Sequence, residues 1–226
     1  MHAFLSSRST AVGDGPDVRL LTTTARTALA GSVALAVLLH LRWSGQVDPV
    51  GQTLSDYALH DGAAALFTAS VGAVATGAAA LLAGLLHSRL AVGPLVPAAL
   101  GVACAGLVLS AVFPTDPAGG VPSADGLVHR YAAGAAVAAL PATGLLLSRR
   151  LLGHAPALAR RVGRLSWAST GAALCFLGAH LSAVRPDTPM TAEAAGLLGL
   201  AERLTLGLEI ALLFAMADAL RGGRNP

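Results

Sequence analysis

The chain has 226 residues, 54% of them hydrophobic and only 12% charged, with a net charge of +3; soluble domains carry about 25% charged residues, so an ordinary soluble fold is excluded. The basic residues are all arginine, and they fall between apolar stretches instead of clustering, which argues against a nucleic-acid-binding surface. Two cysteines, Cys104 and Cys175, lie inside apolar runs, so neither a disulfide framework nor a thiolate metal site is indicated.

Along the chain, the first 21 residues are rich in Ser, Thr and Gly, carry mixed charge and lack periodicity; such a segment is expected to stay unstructured. Six apolar stretches follow: Thr27–Leu41, Gly62–Leu86, Val92–Phe113, Leu127–Ser148, Val162–Val184 and Gly196–Leu220. A helix needs about 20 such residues to cross the hydrocarbon core. No small-residue cleavage site follows the first stretch, which reads as a retained helix and not a signal peptide. The sixth is the most polar, with Glu202, Arg203 and Glu209 inside it. None alternates with period two, which disfavours a β-barrel, and backbone groups in lipid must then be satisfied within helices. The expected fold is all-α, an integral membrane bundle of six transmembrane helices over residues 22–221, with residues 222–226 a short tail.

Arginine in the short connections sets the orientation. Arg8, Arg19 and Arg26 precede the first stretch, Arg89 follows the second, and five arginines between Arg149 and Arg164 separate the fourth from the fifth. Arg221 and Arg224 end the chain. The alternate connections hold Asp48, Asp56, Asp61, Asp116, Asp125, Asp187 and Glu193. Both termini are therefore expected in the cytoplasm, with three acidic loops outside. Trp43, Tyr57, Tyr131 and Trp167 fall at the span boundaries, where aromatic belts form. Gly101 with Ala105, and Gly134 with Ala138, have the four-residue spacing that lets membrane helices approach closely.

On this topology the ionisable residues gather at the outer boundary. His40 ends the first helix; Ser55, Asp56, His60 and Asp61 precede the second; Asp116 ends the third. His129 and Arg130 open the fourth, His180 lies near the outer end of the fifth, and Glu202 with Arg203 opens the sixth. Each also has a plain structural use. Ser55 or Asp56 suits a helix N-cap, and Thr115–Asp116 beside Pro117 suits a turn. Glu209 is deeper, and a carboxylate at that depth costs a few kcal/mol unless paired or protonated; Arg203 or a histidine across the bundle is its expected partner. Taken together, Asp116, His129, Ser55 and Asp56 are candidate acid–base or catalytic groups. His180, Glu202, Arg203, Glu209 and Arg130 are candidate binding residues. Asp116, His129 and His180 are candidate zinc ligands, although no HxxxH, HExxH, CxxC or GxSxG motif is present.

"TLSDYALHDG" at 53–62, "VFPTDP" at 112–117 and His129 resemble the bacterial membrane family known as domain of unknown function 998, in the same order and at the same helix ends. The resemblance covers roughly residues 25–220. It implies six helices in the bacterial plasma membrane, brings no established activity, and marks Ser55, Asp56, Phe113, Pro114, Asp116 and His129 as family-type positions. More loosely, Ser55, Asp116, His129 and His180 can be set against the zinc-holding Ser, Asp and His residues of ceramidase and progestin-receptor-type membrane hydrolases. Those proteins have seven spans and paired histidines on the last, whereas the sixth stretch here has no histidine. Three functions follow as expectations. The first is a membrane protein whose outer polar layer is structural, or binds a lipid head group or small molecule. The second is a metal-assisted or acid–base lipid hydrolase. The third is a proton-coupled transporter, resting on Glu202 and Glu209.

Overall fold

The computed structural model describes residues 16–88, 90, 92–184 and 192–222. Among them the chain is all-α, with no strand. Six long helices, α1 (Pro16–Arg42), α2 (Ala63–His87), α3 (Leu95–Val112), α4 (Ala124–Leu151), α5 (Pro156–Val184) and α7 (Leu198–Gly222), make up most of the described chain. Two small elements were not apparent in the sequence: a 3₁₀ helix at Leu54–Leu59 and a one-turn α6 at Ala192–Ala195.

The helix ends follow local chemistry. Pro16 and Pro156 occupy first positions of α1 and α5, where the missing N–H has no intrahelical partner to lose and φ is already helical. α1 therefore begins well ahead of the expected Thr27, and residues 16–21, expected to be unstructured, form its first turns; residues 1–15 lie outside the described residues. Pro114 stops α3 by forcing Phe113 into extended backbone (φ −88°, ψ 129°). Ser123 caps α4 by accepting from the Gly126 amide at 3.0 Å.

Successive helices pack side by side, α1 on α2, α2 on α3, α3 on α4, α4 on α5 and α5 on α7, and α7 closes onto α1 while also touching α2 and α4. One core cluster draws on all six long helices, with Leu29, Leu81, Leu100, Leu140, Leu212 and Met216 all but fully buried. α1 to α4 are each long and apolar enough to cross a membrane. α5 and α7 have comparable lengths of 29 and 25 residues and are more polar. The most apolar helix, α3, turns Val102, Val108, Leu109 and Val112 outward, whereas the polar α7 contributes Leu212, Leu213, Ala215, Met216 and Ala217 to the interior. That inversion suits a lipid surround, where apolar side chains gain nothing by turning inward.

Close approach does occur at small residues, but not at the expected ones. Gly101 and Gly134 face open space. The α3–α4 contact runs instead through Gly106, where a Cβ would lie 2.5 Å from the Ala132 carbonyl oxygen, and through buried Ala103, Ala132 and Ala136. Four-residue spacing identifies a stripe but not the stripe that faces a neighbour. Between α1 and α2, the buried Ser32 and Ser70 hydroxyls meet at 3.2 Å, and the Ser70 hydroxyl also lies 3.1 Å from the Ser32 carbonyl. Tyr57, expected in an aromatic belt, is fully buried; Tyr131 and Trp167 are exposed.

Candidate functional site

The sequence-derived polar residues lie at the acidic-loop end of the bundle and form two centres, not one. The first is built on the long α1–α2 connection. Asp48 accepts from the Val50 and Gly51 amides at 3.1 and 3.0 Å, and Asp56 accepts from the Thr53 amide at 2.7 Å and its hydroxyl at 2.9 Å. Asp56 thus opens the 3₁₀ helix and does not cap α2, whose preceding residue is Gly62 at φ +77°. Ser55 shares its hydroxyl with Thr53 at 2.9 Å.

This folded loop is fastened to the start of α7. Glu202 accepts from the Leu54 amide at 2.5 Å, and Asp56 lies within electrostatic reach of Glu202. Arg203 donates from Nε to His40 Nε2 at 2.8 Å and from Nη1 to the carbonyls of Gln52 at 2.7 Å and Gly199 at 3.1 Å. His40 in turn stands 2.7 Å from the Ala36 carbonyl through Nδ1. Two such partners assign one tautomer: Nδ1 carries the hydrogen and Nε2 accepts from the guanidinium. His40 also rests on the buried Tyr57, with ring centroids 5.3 Å apart. Gly199 lies so close under the Gln52 carbonyl that a side chain there would collide with it. His40 and Arg203 therefore join α1, α7 and the loop in one latch.

The second centre spans α3 and α4. Asp116 accepts from the Ser123 amide at 2.9 Å and its hydroxyl at 2.7 Å, and a Cβ at Gly126 would run into the Asp116 carboxylate. The Ser123 hydroxyl, then its amide, hold the Asp116 carboxyl below the usual carboxylate range, with smaller help from Arg130 and His129. His129 is buried and pairs its Nδ1 with the Phe113 carbonyl at 3.0 Å. The Phe67 ring of α2 lies 6.3 Å from its imidazole. Arg130 lies within electrostatic reach of both Asp116 and His180, and His180 sits beside Phe176.

The zinc candidates are not gathered around one point: both Asp116 oxygens accept from Ser123, and no group of three His, Cys, Asp or Glu side chains able to hold a metal occurs among the described residues. Nor, among the described residues, is a serine hydrogen-bonded to His129 or His180, the pairing that nucleophilic catalysis requires. A shallow, open cleft of about 410 Å³ lined by Thr23, Thr24, Thr27 and Ala28 on α1 touches neither centre. Glu209 lies deeper than both centres and gains neither of its expected partners: Arg203 is turned to His40, and Glu209 Oε1 is buried with no hydrogen bond. Asp187 lies outside the described residues.

One polar group escaped the sequence reading. At the arginine-loop end, Asp218 bridges Arg26 at 2.6 Å and Arg161 at 3.0 Å, tying α7 to α1 and α5, while Arg26 also sits over the Phe214 ring at 5.8 Å. The readable signal was a lone carboxylate in the last turns of a helix whose neighbouring segments are rich in arginine. Ser123 was likewise readable as an N-cap, immediately before a new apolar run.

Neither a curated protein nor a solved structure matches the chain. A family model described as "Protein of unknown function (DUF998)" matches residues 27–218, a range that reaches into all six long helices and takes in both polar centres. The chain belongs to the DUF998 family.

Proposed function

We propose that this chain is a six-span integral membrane protein of the bacterial plasma membrane, with both termini in the cytoplasm and a structural polar layer at the extracytoplasmic end. In this reading α5 and α7 are spans as well. Their polar groups are tolerated because they face protein: Thr205, Glu209 and Ser169 are buried. The observation that carries the structural role is the Arg203 latch, in which the arginine donates to His40 and to the Gln52 and Gly199 carbonyls. Arg130 supports a head-group contact at the same boundary. It makes no ion pair among the described residues and stands next to the exposed Tyr131, so a lipid phosphate is the anion suited to it.

The test uses single cysteines in a variant lacking Cys104 and Cys175. A membrane-impermeant maleimide should label Ala118→Cys and Glu193→Cys in intact cells, and His154→Cys and Arg221→Cys only after permeabilisation; the reverse pattern would invert the topology, and labelling of Glu193→Cys and Arg221→Cys from the same side as His154→Cys would remove α5 and α7 from the spans. For the head-group contact, anionic phospholipid should raise the melting temperature of the parent and not of Arg130→Gln. Equal stabilisation of the two would remove Arg130 from the reading.

A further inference from the structure

In a protein interior a buried polar side chain finds a partner, and the exceptions call for an explanation. The buried hydroxyls here follow the rule. Thr22, Ser110, Thr143, Ser166, Ser182 and Thr205 each return a hydrogen bond to a carbonyl about one turn earlier, Ser32 and Ser70 bond to each other, and His129 is held by Phe113. Three buried side-chain atoms break it: Arg203 Nη2, on a guanidinium whose other nitrogens are bonded within the latch, and, with no other bond from the same side chain, Ser169 Oγ, on a fully buried residue, and Glu209 Oε1, on a residue 3% exposed.

Ser169 and Glu209 occupy one level of the bundle. α5 and α7 run antiparallel, with Arg161 bonded to Asp218 near one end. Further along, a Cβ at Gly144 would touch both Ser166 and Leu212, which places those two side by side. Three residues onward along α5 from Ser166 is Ser169, and three residues back along α7 from Leu212 is Glu209. A step of three keeps a side chain on nearly the same helical face, so both residues stay on the α5–α7 seam. Glu209 lies about 9 Å along the axis from Arg203 and about 14 Å from Asp218, at 1.5 Å per residue.

No charge is available to Glu209 at that depth. Residues 27–39 of α1, 63–86 of α2, 95–112 of α3, 131–148 of α4 and 165–179 of α5 contain no Asp, Glu, His, Lys or Arg, and 204–217 of α7 contain Glu209 alone. The nearest charged groups and histidines on the packed elements lie toward the ends, Arg26 and His40 on α1, His87 on α2, His129, Arg130 and Arg149 on α4, Arg164 and His180 on α5, Arg203 and Asp218 on α7, and Asp56 in the 3₁₀ helix, while the thiols of Cys104 on α3 and Cys175 on α5 are the mid-span titratable groups. An ionised carboxylate without a counter-charge is strongly penalised in such surroundings. A protonated one needs only an acceptor for its single O–H, and the idle Ser169 hydroxyl is an oxygen acceptor at the same level.

We propose that Glu209 and Ser169, which do not bond each other in this structure, form an intramembrane proton-binding site on the α5–α7 seam, in which Glu209 carries the proton and the unpaired Ser169 hydroxyl turns to accept its hydrogen bond. The site rests on α5 and α7 being spans, which the cysteine labelling above tests separately.

A hydrophobic carbodiimide reports on such a group in the full-length protein in liposomes. It adds to a protonated carboxyl: the acid proton moves to a carbodiimide nitrogen as the carboxyl oxygen bonds the central carbon, and acyl migration to nitrogen leaves a stable N-acylurea. Peptide mass spectrometry should find the adduct on Glu209 in the parent, with labelling that declines as pH is raised and is unaffected by sodium ions. Infrared spectra should contain an acid C=O band that is lost in Glu209→Gln and shifted in Ser169→Ala. Absence of both the adduct and the band in the folded parent overturns the proposal, even if the substituted proteins fail to fold. Protection by sodium at fixed pH overturns it in favour of a cation site, and an unshifted band in Ser169→Ala removes Ser169 from it.

Discussion

Asp116 has a defined task in its own loop: its carboxylate collects the Ser123 amide and hydroxyl while Ser123 caps α4. Because those bonds lower its proton affinity in the folded chain, its contribution to stability is present above the unfolded value of about 3.9 and is lost as pH falls through the lower folded value. The melting temperature of the parent should therefore drop on the acid side by more than that of Asp116→Asn, with the two profiles running parallel near neutral pH. Equal acid-side drops would show that the Ser123 contacts do not persist in solution. The carboxylate in "FPTDP" was legible as turn chemistry, but its partner was not. Ser123 lies seven residues away, and only the path of the loop through Gly119, at φ +75°, brings it back.

At the scale of elements, the α3–α4 seam and the loop latch make opposite demands. The seam needs an absent side chain: Gly106→Val should cost about 1–3 kcal/mol by overpacking against the Ala132 carbonyl, whereas Gly101→Val, facing open space, should change the unfolding midpoint in detergent little. A similar loss at both positions would place the seam elsewhere. The latch needs one particular side chain. Arg203→Lys keeps the charge but not a fork that reaches His40 and the Gln52 carbonyl together. Each hydrogen bond to a charged group is worth about 1.5–3 kcal/mol, so amide exchange should quicken across residues 48–56 and stay unchanged in α3. Unchanged exchange in the loop would mean that Glu202 alone holds it.

Across the whole molecule, α7 is the strut. At one end Glu202 and Arg203 fasten the α1–α2 loop, at the other Asp218 joins α1 and α5, and between them its apolar residues fill the common core. A strut touching most of the bundle is shielded by its neighbours, so it carries polar groups that the outward-facing α3 lacks. The same shielding buries Glu209 away from every charged side chain, which is what makes a bound proton the fitting counterpart.

The sequence by itself determined the all-α class, the apolar helices, the turn chemistry beside Pro117 and the family, because these depend on composition and on short-range backbone rules. It also led to the polar residues at one end, since charge is excluded from the centres of apolar spans. Only the tertiary structure decided how those residues are grouped: Arg203 with His40, Asp116 with Ser123, and Glu209 with no charge at all. It decided too that Gly106, and not Gly101, faces a neighbour. The physical reason is shared. Which face of a helix meets its neighbour is set by small rotations and by long-range packing, and in a chain so rich in Gly and Ala every face looks nearly alike until the neighbours are in place.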